Sequence, residues 1–510
     1  MKKLTIIALA AITLMTACNR TSNNPFFAET WNTPFGVPPF DQIRTAHYKP
    51  AFLEGMKRHN AEIEAIINNP EAPTFENTIV AFEASGLFLE RVFLTFQNIL
   101  NSERTEKLSE LEKEILPLLT VHSDQISMNP RLFERIRIVY ENERSQLQGE
   151  DLMLLEITHR NFVRGGANLC EEAQAVLKRI NEELAALVPQ FNDNVLSDQN
   201  AFVLIIDNEA DLAGLPAAVV AAAADLAARE GHEGKWMWRS LQRSVFTPLL
   251  TFLDNRDLRK KVWEAYVNVG NNGNEHDNNE IIVKIANLEL ERAQLFGHET
   301  AGSFILETNM AGDVETVRNF IQSLWTPTMR VFNREKEVLQ RMINQRGGNF
   351  QLEPWDWRYY AEIVKQIDYD FDETAFREYL KLENVIDAAF DLTTKLWGVT
   401  WEERFDIPKF NSENRTWLMR DADGSELGIF YADYHPRASK RGGAWMWYFR
   451  MQSGWPNNNV LPIVLNVSNY TAPAGGQPAL LSIDETNTLF HEIGHALHML
   501  FSRTNYRSLS

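Results

Sequence analysis

Ser482-Ile483-Asp484-Glu485-Thr486-Asn487-Thr488-Leu489-Phe490-His491-Glu492-Ile493-Gly494-His495-Ala496-Leu497-His498 is the stretch on which the reading of this chain turns. Ser482 with Glu485 three residues on is a capping-box pattern, so a helix is predicted to begin near Ile483 and to carry His491 two turns in. Residues at i and i+4 share one helix face. His491 and His495 can therefore reach a single tetrahedral ion, while Glu492, about 100° round the axis, can address a water beside it. Zinc suits such a site, because it has no redox chemistry, accepts neutral imidazole and brings the pKa of water down to about 7. Glu492 would then accept the proton of that water as it attacks an amide carbonyl.

With eleven histidines in 510 residues, HExxH arises by chance in about one or two of a hundred such chains. The bland alternative is a surface helix with two exposed histidines and a glutamate. His498, at i+7 from His491, lies almost a turn beyond His495 and is predicted to pack or to support the site rather than to bind metal. A catalytic zinc takes three protein ligands and one open position. Metzincin spacing requires Gly at 498 and His at 501, and the chain has His498 and Phe501 there, which excludes it. The other common solution is a glutamate on a following helix, but residues 496–510 contain no Asp, Glu or Cys.

Upstream of this helix lie the few β signals. Residues 416–420 and 427–434 flank Asp421-Ala422-Asp423-Gly424, whose Asp-Gly end suits a hairpin. Residues 460–467 form a third strand candidate, with Pro462 near its start favouring an edge position. As an exposed edge it could pair with an extended peptide backbone; the alternative is an ordinary buried strand. Gly442-Gly443 either permits close approach of a loop to substrate or turns the chain. Trp445, Trp447, Tyr448, Phe449 and Trp455 read as packing rather than as a ligand cage. Residues 202–206 make one further short strand.

The remainder reads as helical from about Asp41. In residues 104–120, Leu108, Leu111, Ile115 and Leu118 recur at steps of three and four, and Pro117 is predicted to kink or end that helix. Pro216 opens an alanine-rich run closed by Gly231. A helix over 281–296, with Ile281, Ile285, Leu288 and Leu295 on one side, follows the Asn/Gly-rich loop 268–279 and stops at Gly297. No repeat of fixed period is evident.

At the N-terminus, Lys2 and Lys3 precede an apolar run from Leu4 to Met15, too short to span a bilayer and of signal-peptide length. Leu14-Met15-Thr16-Ala17-Cys18 resembles a bacterial lipobox, with Met15 departing from the usual Leu, Val or Ile. Residues 1–17 are accordingly expected to be removed and Cys18 to become a lipidated N-terminus; an ordinary secretory signal is the alternative. The expected organisation is a tether and entry segment over 18–39, a helical domain over 40–410, and a sheet with the zinc helix over 411–510. Composition fits a soluble globular body, with 44% hydrophobic and 23% charged residues. Fifty basic against 69 acidic side chains, net charge −19, repel phosphate backbones, which excludes nucleic acid as a partner. Cys18 and Cys170 are too few for a disulfide-built fold, and no CxxC is present.

Taken together, Leu427-Gly428-Ile429-Phe430-Tyr431, Lys440-Arg441-Gly442-Gly443-Ala444-Trp445-Met446, residues 466–481 with Pro473 and Pro478, and residues 489–498 resemble the M3 family of zinc metallopeptidases, the thimet oligopeptidase group. The bacterial peptidyl-dipeptidase branch is the nearest likeness, and Pro38-Pro39-Phe40-Asp41 with Ala51-Phe52 resembles its start. The likeness runs from about residue 24 to the end, weakly through the middle helices and strongly from Leu427. It implies a mostly α-helical, two-lobed body with a deep channel, a small β-sheet before the zinc helix, and one Zn2+ held by His491 and His495 with Glu492 as general base. The family's third ligand is a glutamate about twenty-five residues past the second histidine, which would fall beyond Ser510, as would its oxyanion-stabilising residues. The resemblance thus implies hydrolysis of short peptides with release of C-terminal dipeptides, while the lipobox-like N-terminus leads to the expectation of a chain lipid-anchored in the bacterial cell envelope, and a monomer is expected. The competing expectations are a weakly zinc-binding peptide shell that lacks turnover, and a helical lipoprotein scaffold with an accidental HExxH.

Overall fold

The helical pattern found in the sequence builds most of the molecule. The structure, a computed structural model, describes residues 24–371, 373–455, 459–470, 472–473 and 478–510. The signal stretch, Cys18, Thr471 and residues 474–477 lie outside the described residues. The helices that matter below are α1 (Thr45–Ile67), α2 (Leu87–Ser102), α3 (Glu106–Ser127), α4 (Glu171–Ala201), α5 (Asn279–Leu295), α6 (Leu382–Trp397) and α7 (Ile483–Leu500). Among the described residues no helix is long and apolar enough to cross a membrane.

Leu108, Leu111 and Ile115 of α3 are buried as expected, but Leu118 is exposed. The helix also continues through Pro117 to Ser127 instead of ending there. A mid-helix proline costs one hydrogen bond and a steric adjustment. Beyond it His122, Asp124 and Ile126 are all buried, so tertiary packing holds the second half in place. The loop before α5 is organised by Asp198 near the end of α4, which accepts from the Gly270 N–H at 2.7 Å and the Asn272 side chain at 2.7 Å. The segment from Asn24 is docked rather than a free tether. Phe26 and Val37 are fully buried, and Arg91 donates to the carbonyls of Phe26, Ala28 and Glu29.

Two sheets form. β1 (Val203–Ile206) pairs with β2 (Trp236–Arg239), a strand that the sequence reading missed. The larger sheet contains β3 (Thr400–Glu403), β4 (Arg415–Arg420), β5 (Glu426–Asp433), β6 (Trp445–Arg450) and β7 (Ile463–Val467), in the order β3-β4-β5-β7-β6. β4 and β5 make the expected hairpin, closed by an Asp421 N–H to Ser425 C=O bond of 2.8 Å. β7 is an interior strand, parallel to β5 and antiparallel to β6, which corrects its expected edge position. Pro462 stands one residue before the strand, so no ladder donor is lost, and its carbonyl accepts the Ile429 N–H at 3.0 Å.

All of β7 is buried, because both faces of the sheet are covered. Phe430, Ala432 and Val464 face α6 and α7, while Ile429, Tyr431, Ile463 and Leu465 pack with Val37 and Phe40 of the entry segment.

Candidate active site

α7 starts where the capping box predicts. Ser482 Oγ accepts from the Glu485 N–H at 3.0 Å, and Glu485 Oε2 accepts from the Ser482 N–H at 2.8 Å. The helix lies on the sheet through Leu489, Ile493, Ala496, Leu497 and Leu500. Gly428 of β5 makes that approach possible, since a Cβ there would stand 2.6 Å from Leu500 Cδ2 and 2.9 Å from the Pro462 carbonyl oxygen. With this stripe turned inward, His491 and His495 emerge exposed on another face.

Their Nε2 atoms are 3.1 Å apart. Two zinc–nitrogen bonds of about 2.0–2.1 Å at a tetrahedral angle would put such nitrogens about 3.3 Å apart, so the pair fits one ion. A methyl group at Gly494 would meet nothing within 4 Å, so the helix face flanking His491 is open at that point. Glu492 is 6% exposed, and its Oε2 is buried without a hydrogen-bond partner. Burial pushes its carboxyl above the ordinary range, while His495 and His491 pull the other way. A carboxylate with an unsatisfied oxygen beside two imidazoles is suited to accepting a proton. Among the described residues no third His, Cys, Asp or Glu completes a metal-binding group.

Next to α7 the sheet ends on β6, which has α2 along its outer side. Asn98 of α2 donates to the Tyr448 carbonyl at 2.9 Å. Trp447 and Trp455 are exposed, which corrects the expectation that these aromatics all pack, although Phe449 is buried in the core. His498 is likewise exposed, lining a surface hollow with Trp397, Leu497 and Phe501 rather than packing or supporting the histidine pair.

The Lys440-Arg441-Gly442-Gly443 motif has a structural task that its residue types alone did not reveal. Lys440 and Asp433 are both fully buried. Lys440 Nζ donates to the Asp433 carbonyl at 3.0 Å and the His435 carbonyl at 2.8 Å, and lies 3.1 Å from Asp433 Oδ1. Arg437 donates to both Asp433 oxygens, at 2.8 and 2.7 Å, and pairs with Glu103 at 2.7 Å. Burial pushes the Lys440 ammonium down to about 8 against the pull of Asp433. The Ser439 carbonyl accepts from the Arg104 N–H, and the Asn101 carbonyl accepts from the Arg441 N–H. The loop between β5 and β6 is thereby fastened to the end of α2. Gly443, at φ +93, turns the chain into β6 and its carbonyl accepts from Asn469 at 2.7 Å. Gly442 makes no tight contact with the rest of the chain.

The family described as Peptidase family M3 matches residues 249–510. The chain is similar to the dipeptidyl carboxypeptidases of Salmonella typhimurium and Escherichia coli, each 36% identical over 492 residues, covering 96% of this chain and 72% of the relative. It is also similar to oligopeptidase A of Salmonella typhimurium, 28% identical over 487 residues, or 94% of this chain and 71% of that protein.

Proposed function

This chain belongs to peptidase family M3 and is a peptide-hydrolysing metallopeptidase, and from that premise we propose that it uses one zinc ion per chain to release C-terminal dipeptides from short peptides. The observation that carries the zinc reading is the pair of exposed imidazole nitrogens 3.1 Å apart beside Glu492. Dipeptide release is supported by the higher identity to dipeptidyl carboxypeptidases than to oligopeptidase A.

His491 and His495 would hold the zinc. When bound, zinc supplies Lewis acidity, polarising the scissile carbonyl and acidifying a water. Glu492 takes the proton of the attacking water on its buried carboxylate and can return it to the leaving amine. Backbone pairing with an extended peptide, the role expected of an exposed sheet edge, does not fall to β7, which is interior, and on the outer side of β6 the Tyr448 carbonyl is already taken by Asn98 of α2. The lipid anchor at Cys18, the cell-envelope location and the monomeric state belong to this reading as well.

The test is hydrolysis of a defined pentapeptide by the full-length protein, followed by mass spectrometry. Activity should vanish with a chelator and return with zinc. Products should appear as successive losses of C-terminal dipeptides, and internal cleavage would refute that part. Persistence of hydrolysis in Glu492→Ala would sink the mechanism.

A further inference from the structure

Away from α7, α1, α2, α3, α4 and the helix Gly149–Arg164 line an open cavity of about 870 Å³ together with Arg507 and Ser508. That volume lies in the range of small-molecule sites, about 300–1,000 Å³. Its walls are mainly apolar, with Phe93, Leu119, Phe162 and Leu177 among them. The charged groups on those walls are unequally matched. Arg164 is paired with Glu307 and Arg292 with Glu289. Arg507 serves two carboxylates, Glu83 at 3.9 Å and Glu90 at 3.0 Å. Asp124 is 6% exposed, lines the cavity, and has no ion-pair partner within 4 Å among the described residues, although Lys178 and Arg292 lie near enough to stabilise its charge. Asn181 donates to its Oδ1 at 2.7 Å, the only hydrogen bond that the carboxylate receives among the described residues.

Two residues from Asp124, His122 Nε2 lies 3.1 Å from His59 Nδ1, and His59 Nε2 lies 3.3 Å from Ser85 Oγ. Burial pushes both imidazoles down, His59 to about 4. The histidines therefore add no positive charge at neutral pH. The cavity combines apolar walls, arginines that are already matched, and one buried carboxylate with an oxygen to spare.

We propose that this cavity binds an apolar ligand carrying a free ammonium group, which Asp124 holds, and that this ligand is the N-terminal end of a short peptide. A buried carboxyl that is reluctant to ionise gains most from an arriving cation. Burial does raise the Asp124 carboxyl above its ordinary range. The helix α2 lies between this cavity and the sheet edge, since Glu90 and Phe93 line the cavity while Asn98 bonds to β6. The identification of the ligand as a peptide rests on the peptidase reading; the ammonium site itself does not.

Calorimetric titration of the full-length His491→Ala protein, which should not turn peptides over, separates the two. The probes are Phe-Leu amide, its N-acetylated form and 2-phenylethylamine. The free-amine peptide should bind at least about tenfold more tightly than the acetylated one, the size of one charge-assisted hydrogen bond. Asp124→Asn should erase that preference, and Leu119→Trp, which fills the cavity, should weaken the amine probes. Equal binding of free and acetylated peptide to the unaltered cavity overturns the proposal, as does a preference that survives Asp124→Asn. Binding of 2-phenylethylamine without binding of the peptide amide overturns the peptide assignment. Because no arm reads hydrolysis, a failure of the zinc reading would leave the amine preference intact.

Discussion

Two pairs of histidines in this protein hold ring nitrogens 3.1 Å apart, and they are built for opposite purposes. His491 and His495 sit one turn apart on α7, exposed, next to a carboxylate with an unsatisfied oxygen. His59 and His122 come from α1 and α3, 63 residues apart, with His122 buried and His59 also meeting Ser85. A nitrogen separation of this size fits chelation of one ion and an N–H···N hydrogen bond equally well. Access and neighbours make the difference. The exposed pair keeps lone pairs available to an incoming ion, whereas the interior pair is neutralised by burial and closed by its own hydrogen bond.

The sharpest way to break this contrast is to remove one member of each pair. Full-length His491→Ala should lose bound zinc and peptidase activity to background, measured by atomic absorption and peptide hydrolysis. His122→Ala should retain both. If the two variants lose zinc alike, the division of roles is wrong. Next in size, Glu492→Gln should lower kcat by about 10²–10⁴-fold, the usual contribution of a general base. Its zinc content should stay unchanged, because the glutamate is placed to move a proton and not to hold the ion.

The same contrast explains what could be read from the sequence. Everything that makes the exposed pair is local: the Ser482–Glu485 cap, the i and i+4 spacing, and the apolar stripe that turns the histidines outward. The helical character and the β4–β5 hairpin were legible for the same reason. The interior pair depends on helix packing across 63 residues, and no spacing rule announces it. The edge strand was misplaced because Pro462 looked like part of β7, while β6 hid in an aromatic run without polar alternation. Lys440 could be noted as part of a motif, but its burial against Asp433 and Arg437 arises only from the loop's attachment to α2.

The interior pair should also set an acid limit on stability. In the folded protein His59 titrates near 4, against about 6.5 in an unfolded chain. The unfolded state therefore binds the proton first as pH falls. The stability associated with a neutral His59 is complete above about 6.5 and is lost progressively between about 6.5 and 4. Replacement by Gln keeps a hydrogen-bonding side chain and removes the titration. Between pH 6.5 and 4.5, His59→Gln should lose about 2–4 °C less in Tm than the parent protein. Raised carboxyls nearby, such as Glu90 and Asp124, shift stability in the opposite direction but do so in both proteins. Parallel melting curves for the two would contradict the assignment of this window to His59.

The smallest effect tests whether the exposed pair is as locally built as it looks. Ser482→Ala removes the acceptor for the Glu485 N–H, while the backbone N–H of residue 482 can still donate to Glu485 Oε2, at a cost of about 1 kcal/mol. Hydrogen exchange should quicken in the first turn of α7. His491 lies more than two turns in, and Leu489 and Ile493 on either side of it are anchored on the sheet. Zinc stoichiometry should therefore be unchanged even as the cap frays. A Ser482→Gly variant should cost only a few tenths of a kcal/mol, because glycine tolerates the cap position. If Ser482→Ala instead reduced zinc binding to the degree that His491→Ala does, the pair would depend on the whole helix start, and the packing of α7 against β5 and β7 would not be what orients it.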